Sequence, residues 1–189
     1  SEAERFIRFF VFSLPIKISV TKSYHQSQVD FSLKICYNLY MIINACGGGC
    51  FRIQTGGTTL MTEPFEEELS NRFKPDILLK NRYNLSPFAA KSDYFVVEGP
   101  GEYEIKGIEI SALEGFSYLV RAEEMTLGFV APATLIKDNP EIAEQLKDAD
   151  ILFIPATEQT EKLIKQLEPK IVIPATTNYS SLLKAFNQK

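Results

Sequence analysis

The sequence predicts an α/β (α+β) protein in which mixed β-sheets are covered by helices. Two observations carry this prediction. From about residue 41 a run of antiparallel hairpins is marked by alternating apolar residues and glycine-bearing turns, and the last third then switches to a strand, helix, strand, helix rhythm. A third observation bounds it: 189 residues with 45% hydrophobic and 23% charged residues suit one soluble globular domain.

The elements follow in chain order. Residues 5–20, RFIRFFVFSLPIKISV, are apolar, but Arg8, Pro15 and Lys17 interrupt them before the roughly 20 residues that a spanning helix needs. Glu2 and Glu4 stand where a secretion signal carries basic residues, so neither a membrane anchor nor a signal peptide is expected. We divide the chain into an N-terminal extension, residues 1–40, and a domain, residues 41–189, with Met41 a candidate natural start. The other reading of the extension is an edge strand or hairpin packed on the domain, which its aromatic and β-branched content permits.

Within the domain, MIINA and CFRIQT flank Gly47, Gly48 and Gly49 and read as a hairpin whose glycine turn takes positive φ without steric penalty. TTLMTE continues as a strand. PFEEELSNRF, residues 64–73, opens with proline and acidic residues, which suit the exposed amides of a helix start, and ends before Pro75. DILL, residues 76–79, has the pattern of a strand buried on both faces. DYFVVEG is a further strand. EYEIKGIEISAL then makes a half-buried hairpin, with Tyr103, Ile105, Ile108 and Ile110 on the apolar face, Glu102 and Glu104 opposite, and Lys106-Gly107 as a two-residue turn.

SYLVRAEEMTLGFV supplies a strand pair over 117–122 and 125–130. Asp138 or Asn139 caps a helix with Pro140 in its first turn and Ile142, Ala143 and Leu146 at helical spacing. DILFIPA is a buried strand, Thr157 caps a helix that buries Leu163, Ile164 and Leu167, EPKIVIPA returns as a strand, and a short helix over about 180–186 closes the chain.

The stretches CFRIQTGGTTLMTEPF, KPDILL, DYFVVEGPGEYEIKGIEISAL, DADILFIPA and EPKIVIPATTNY occur in an order that resembles the metallo-β-lactamase superfamily, specifically its small bacterial and archaeal hydrolase-like members. The run over 100–104 is the most distinctive, and the resemblance covers most of residues 41–189. It implies a four-layer α/β/β/α sandwich of metallo-β-lactamase type with two mixed β-sheets and a site at one edge between them. It also implies one or two metal ions, usually zinc, that lower the pKa of a bound water. Imidazoles and carboxylates on strand-end loops would hold them.

The family's His-x-His-x-Asp-His motif would follow DILL, and its positions fall near Arg82, Asn84, Ser86 and Pro87. Further family ligands fall at Gly48, near Pro132, and at Thr176 or Thr177. None of these is a histidine, and the one histidine of the chain is His25, in the extension. The Arg82 guanidinium has no lone pair to give a cation. The expectation is therefore a fold kept without its zinc: no catalytic residue, no metal ligand and no cofactor.

What remains at the expected site is a vestigial ligand-binding set, Glu63, Arg82, Asn84 and Tyr179. Together with Lys80, the cationic and amide members suit a small anion, with Arg82 offering paired donors, although solvated loop residues are the plainer reading. The expected role is a non-catalytic binding or assembly subunit that partners a second copy of itself or an active paralogue. A divergent metal-dependent hydrolase using Glu, Asp or Cys ligands is the alternative.

Other readings are weaker. Twenty basic against 24 acidic residues give a net charge of -4, which supplies no field for a phosphate backbone, so nucleic acid is not an expected partner. Three cysteines fit a reducing, cytoplasmic setting. Cys36, Cys46, Cys50 and His25 make a nominal zinc set of irregular spacing, and CGGGC is better read as a tight turn. Glu63, Glu98, Glu102 and Glu104 make a nominal oxygen-rich site for magnesium or calcium, although Glu102 and Glu104 fit a solvent face and Glu63 a helix start.

Overall fold

The structure, a computed structural model, describes residues 17–25, 28–37, 39–47, 49–62, 73–80, 93–131, 140–157 and 160–175. The first sheet contains β1 (Lys17–His25), β2 (Gln28–Tyr37), β3 (Leu39–Gly47), β4 (Cys50–Thr55), β5 (Thr58–Thr62), β6 (Ile77–Leu79) and β7 (Phe95–Val97), side by side in that order. β1 to β5 pair antiparallel, whereas β5, β6 and β7 are parallel.

The second sheet contains β8 (Gly101–Ile105), β9 (Ile108–Ala112), β10 (Tyr118–Ala122), β11 (Met125–Phe129), β12 (Ile151–Ile154) and β13 (Ile171–Pro174), in the spatial order β13-β12-β11-β10-β9-β8. β8 to β11 are antiparallel, and β11 to β13 are parallel. Both sheets are therefore mixed, as the sequence pattern implies.

Period-2 alternation decides what faces what. Ile43, Phe51, Ile53, Leu60, Ile77, Leu79 and Val97 from the first sheet pack against Ile110, Val120, Leu127, Phe129, Ile151 and Phe153 from the second, making the core between the sheets. The other face of the second sheet, through Leu119, Leu152, Ile154 and Val172, is covered by α1 (Pro140–Leu146) and α2 (Thr160–Leu167). The other face of the first sheet gathers Cys50, Met61 and Leu78 with Cys46, Phe73, Tyr94 and Val96. β6 and β12 feed apolar side chains to both of their faces, which is why DILL and DILF read as continuous apolar runs.

Local expectations fare as follows. The Lys106-Gly107 turn joins Ile105 to Ile108, and both residues take left-handed backbone, φ +52° and +78°, as a tight two-residue hairpin requires. In α1 the buried residues are Ile142, Ala143 and Leu146. In α2 they are Thr160, Ile164 and Leu167, while Leu163 is half-buried. β1 and β2 are a hairpin on the edge of the first sheet, and the division drawn at residue 40 falls inside β3. The helices expected over 64–73 and about 180–186 lie outside the described residues, apart from Phe73, as do the expected caps Asp138 and Asn139. Among the described residues no helix is long and apolar enough to cross a membrane.

Candidate functional site

Because β5, β6 and β7 run parallel, their carboxyl ends meet one rim of the first sheet at Thr62, Lys80 and Glu98. β11, β12 and β13 bring Ala131, Pro155 and Ala175 to one rim of the second. Backbone bonds from Val130 N to Phe153 O, 2.9 Å, and from Ala175 N to Ile154 O, 2.8 Å, keep those ends in register. In open α/β sheets the carboxyl ends of parallel strands are where ligands bind.

Two contacts bring the rims together. The Tyr118 hydroxyl, at the start of β10, donates to the Lys80 carbonyl at 2.6 Å and lies 3.4 Å from the Val97 carbonyl, so one phenol ties the second sheet to the ends of β6 and β7. On the other side Gly49, at φ +88° in the β3–β4 turn, lies so close to β13 that a Cβ there would stand 3.2 Å from the Ala175 carbonyl oxygen. The turn is held from below by Thr62, whose Oγ1 accepts from Phe51 N at 2.9 Å and donates to Gly49 O at 3.5 Å.

Among the described residues, Lys80 is the charged side chain buried at this rim. Leu79 faces the inter-sheet core, so alternation turns Lys80 outward, next to Glu98, which follows Val97 on the neighbouring strand. The Lys80 side chain is 6% exposed, and its Nζ lies 3.9 Å from Oε1 of Glu98, whose side chain is 57% exposed. An ammonium has three donors, and this distance is an ion pair without a hydrogen bond. Among the described residues the buried cation thus retains donor capacity toward an anion.

The sequence-predicted set cannot be placed against this geometry: Glu63, Arg82, Asn84 and Tyr179 lie outside the described residues, as do Gly48, Ser86, Pro87, Pro132, Thr176 and Thr177. Their chain neighbours Thr62, Lys80, Ala131 and Ala175 are the rim residues just described. Sequence reasoning missed Tyr118, read there as an ordinary strand residue. The signal available was a phenol opening a buried apolar strand, a residue type that, when buried, finds a partner for its hydroxyl.

Of the two nominal metal sets, the one with His25 is dispersed, and the other lies partly outside the described residues at Glu63. His25 pairs with Gln28 at the tip of the β1–β2 hairpin, while Cys36 lies eight residues further along β2, roughly 27 Å away at the usual rise. Cys36 in turn sits opposite Tyr40, six residues before Cys46 in β3, roughly 20 Å away. Glu102 and Glu104 are exposed on β8, where Glu102 accepts from Ser111 Oγ at 2.7 Å and Glu104 pairs with Glu109. Among the described residues no three of His, Cys, Asp and Glu gather as metal ligands. The described rim offers the hydroxyls of Thr62 and Tyr118, a buried ammonium, alkyl groups and one exposed carboxylate, a set that does not fit zinc.

The sequence profile of the β-lactamase superfamily domain matches residues 43–176, well over half of the chain. The chain belongs to the β-lactamase superfamily. Two solved structures share its metallo-β-lactamase fold. A Thermotoga maritima protein assigned as a Zn-dependent hydrolase of the metallo-β-lactamase superfamily aligns with a TM-score of 0.58 at 20% identity, covering 78% of this chain and 86% of its own. A Parabacteroides distasonis protein assigned as a metal-dependent hydrolase aligns with a TM-score of 0.62 at 17% identity, covering 91% and 95% respectively. No curated protein matches the chain. At these identities the likeness is one of fold.

Proposed function

We propose that this superfamily member works without a metal ion, as a non-catalytic binding or assembly subunit. The observation that carries the reading is chemical: the scaffold is kept while the chain's one histidine, His25, sits at a hairpin tip far along the first sheet. A nucleophile at this rim has no imidazole base to activate it. The described rim has Lys80, buried beside Glu98, and the ligand it suits is a small anion. Arg82, Asn84 and Tyr179 are the residues we assign to complete that ligand's shell, with Glu63 bounding it. The reading expects no resident cofactor, a cytoplasmic prokaryotic setting, and assembly with a second copy or an active paralogue.

A second reading has one observation in its favour: both fold relatives are assigned as metal-dependent hydrolases. On that reading Glu63 and Glu98 recruit a metal. One experiment separates the two. Freshly purified protein is assayed for bound zinc, iron and manganese and for hydrolysis of ester, lactam and phosphodiester probes. The metal-free reading expects well under one metal per chain and no turnover. Stoichiometric metal together with turnover overturns it.

A further inference from the structure

We propose that the outer edge of β8 is a docking site for an extended, basic segment of a partner protein, which adds a strand to the second sheet. The inference is independent of the function proposed for the rim, because it rests on the β8–β9 hairpin and its neighbour Phe95. β8 closes the second sheet, and among the described residues no strand pairs with its other edge. The Lys106-Gly107 turn has two residues, so the flanking pair, Ile105 and Ile108, exchanges both backbone bonds. Antiparallel ladders alternate bonded and non-bonded pairs. Tyr103 and Ile110 are therefore bonded, whereas the amides and carbonyls of Glu102 and Glu104 turn away from β9, toward the open edge.

Side chains fix what kind of strand fits. Glu102 and Glu104 are exposed, and Glu104 stands directly opposite Glu109 in β9, whose far neighbour is Arg121 in β10. Like charges directly opposed are destabilising, and a cation arriving on the open side of Glu104 relieves them. Ser111 Oγ donates to Glu102 at 2.7 Å, which orients that carboxylate without neutralising it. On the inner face Tyr103 is half-buried and meets the ring of Phe95, in the last strand of the first sheet, with centroids 5.9 Å apart. Phe95 is 46% exposed, the exposed large hydrophobic side chain among the described residues. An added strand thus needs a basic residue opposite Glu102 and another opposite Glu104, with an apolar residue between them to cover Phe95 and Tyr103.

A second copy of β8 does not meet this need. In antiparallel self-pairing the groups that face each other across the edge belong to Glu102 and Glu104, so every such register sets glutamate opposite glutamate. Charges on an edge strand are a common defence against indiscriminate pairing. Here they leave the edge open to one class of partner. Backbone bonds supply the affinity, and the alternation of basic and apolar side chains supplies the selectivity.

The test uses the full chain and a short dye-labelled peptide of alternating lysine and valine. Its anisotropy should rise and saturate as the chain is added at physiological salt, and a peptide of alternating glutamate and valine should not bind. A peptide of the same lysine and valine content, with its lysines in one block, should bind far more weakly, because it cannot set a cation opposite each glutamate. Hydrogen exchange locates the site: amides over 101–105 should slow when the alternating peptide is bound. Glu102→Lys combined with Glu104→Lys should weaken the lysine–valine peptide roughly tenfold or more and admit the glutamate–valine one, since favourable cross-strand pairs become repulsive. Absence of saturable binding, equal binding of the blocked peptide, or binding that leaves exchange over 101–105 unchanged would overturn the proposal. So would a self-associated chain whose amides over 101–105 are already protected. The primary readouts use the parent sequence and so do not depend on how the double variant folds.

Discussion

A carboxylate placed at the amino end of a buried strand has a stabilising role that pH exposes. Asp76 precedes β6; its Oδ2 accepts from Thr59 N at 2.8 Å, and its other oxygen meets the Lys106 ammonium. The Lys106 hydrogen bond, followed by the Thr59 amide, holds the Asp76 carboxyl below its ordinary value of 3.8, against the smaller opposing effect of burial. A depressed folded-state pKa means that the folded chain prefers the carboxylate more than the unfolded chain does. Its contribution is therefore fully present above the ordinary value and is lost as pH falls through the folded one. Asp76→Asn should be less stable than the parent at pH 7, and the gap in urea midpoint should narrow as pH falls below about 4. A gap of constant size across that range would mean that Asp76 acts through shape alone.

At the scale of elements the same device recurs in the second sheet. Asp150 precedes β12, its Oδ2 accepts from Thr126 N at 2.8 Å, and its other oxygen meets Lys170. Each apolar strand, DILL and DILF, is thus fixed at its amino end by an aspartate, which leaves its carboxyl end to face the rim. Helix α1 packs on β11 at Gly128, where a Cβ would stand 2.9 Å from Ala149 Cβ and 3.0 Å from Leu152 Cδ1. Those neighbours belong to the packed layer beneath α1 and have little room to retreat. Gly128→Ala should cost about 1–3 kcal/mol through overpacking, read as a lower urea midpoint at an unchanged m value.

These elements were legible for a local reason. Glu102 and Glu104 alternating with Tyr103 and Ile105, or Pro140 ahead of Ile142, Ala143 and Leu146, are short-range patterns set by strand and helix periods. The pairing of Tyr118 with the Lys80 carbonyl joins residues 38 apart in sequence, and no local period carries that information. The approach of Gly49 to Ala175 is likewise a product of how the two sheets meet. β3 crosses the division drawn at residue 40 because strand pairing with β2, invisible to a composition shift, continues through Met41. For the candidate site, residue types alone disclosed that the chain has one histidine, His25. The pairing of buried Lys80 with exposed Glu98 depended on parallel register, which emerges only when β6 and β7 are side by side.

For the whole molecule, the question is whether two sheets and their helices unfold as one unit. Phe153 on β12 is the side chain that joins them: it stacks on Phe129 of its own sheet with ring centroids 4.4 Å apart and meets Phe51 of the opposite sheet edge-on at 4.8 Å. It is 1% exposed, at the centre of the core between the sheets. Leu146, fully buried, is its counterpart in the outer layer between α1 and the second sheet. Replacing Phe153 by Leu removes both ring contacts, worth about 0.5–1.5 kcal/mol each beyond area, while Leu146→Ala should cost about 2–5 kcal/mol. If the layers form one cooperative unit, both variants shift the near-UV and far-UV circular dichroism transitions together. Separation of the two transitions in Leu146→Ala, with the aromatic signal persisting after helix is lost, would mean that the sandwich core stands without its outer layer. Because Phe153 draws on both sheets at once, its variant should move every probe by the same amount.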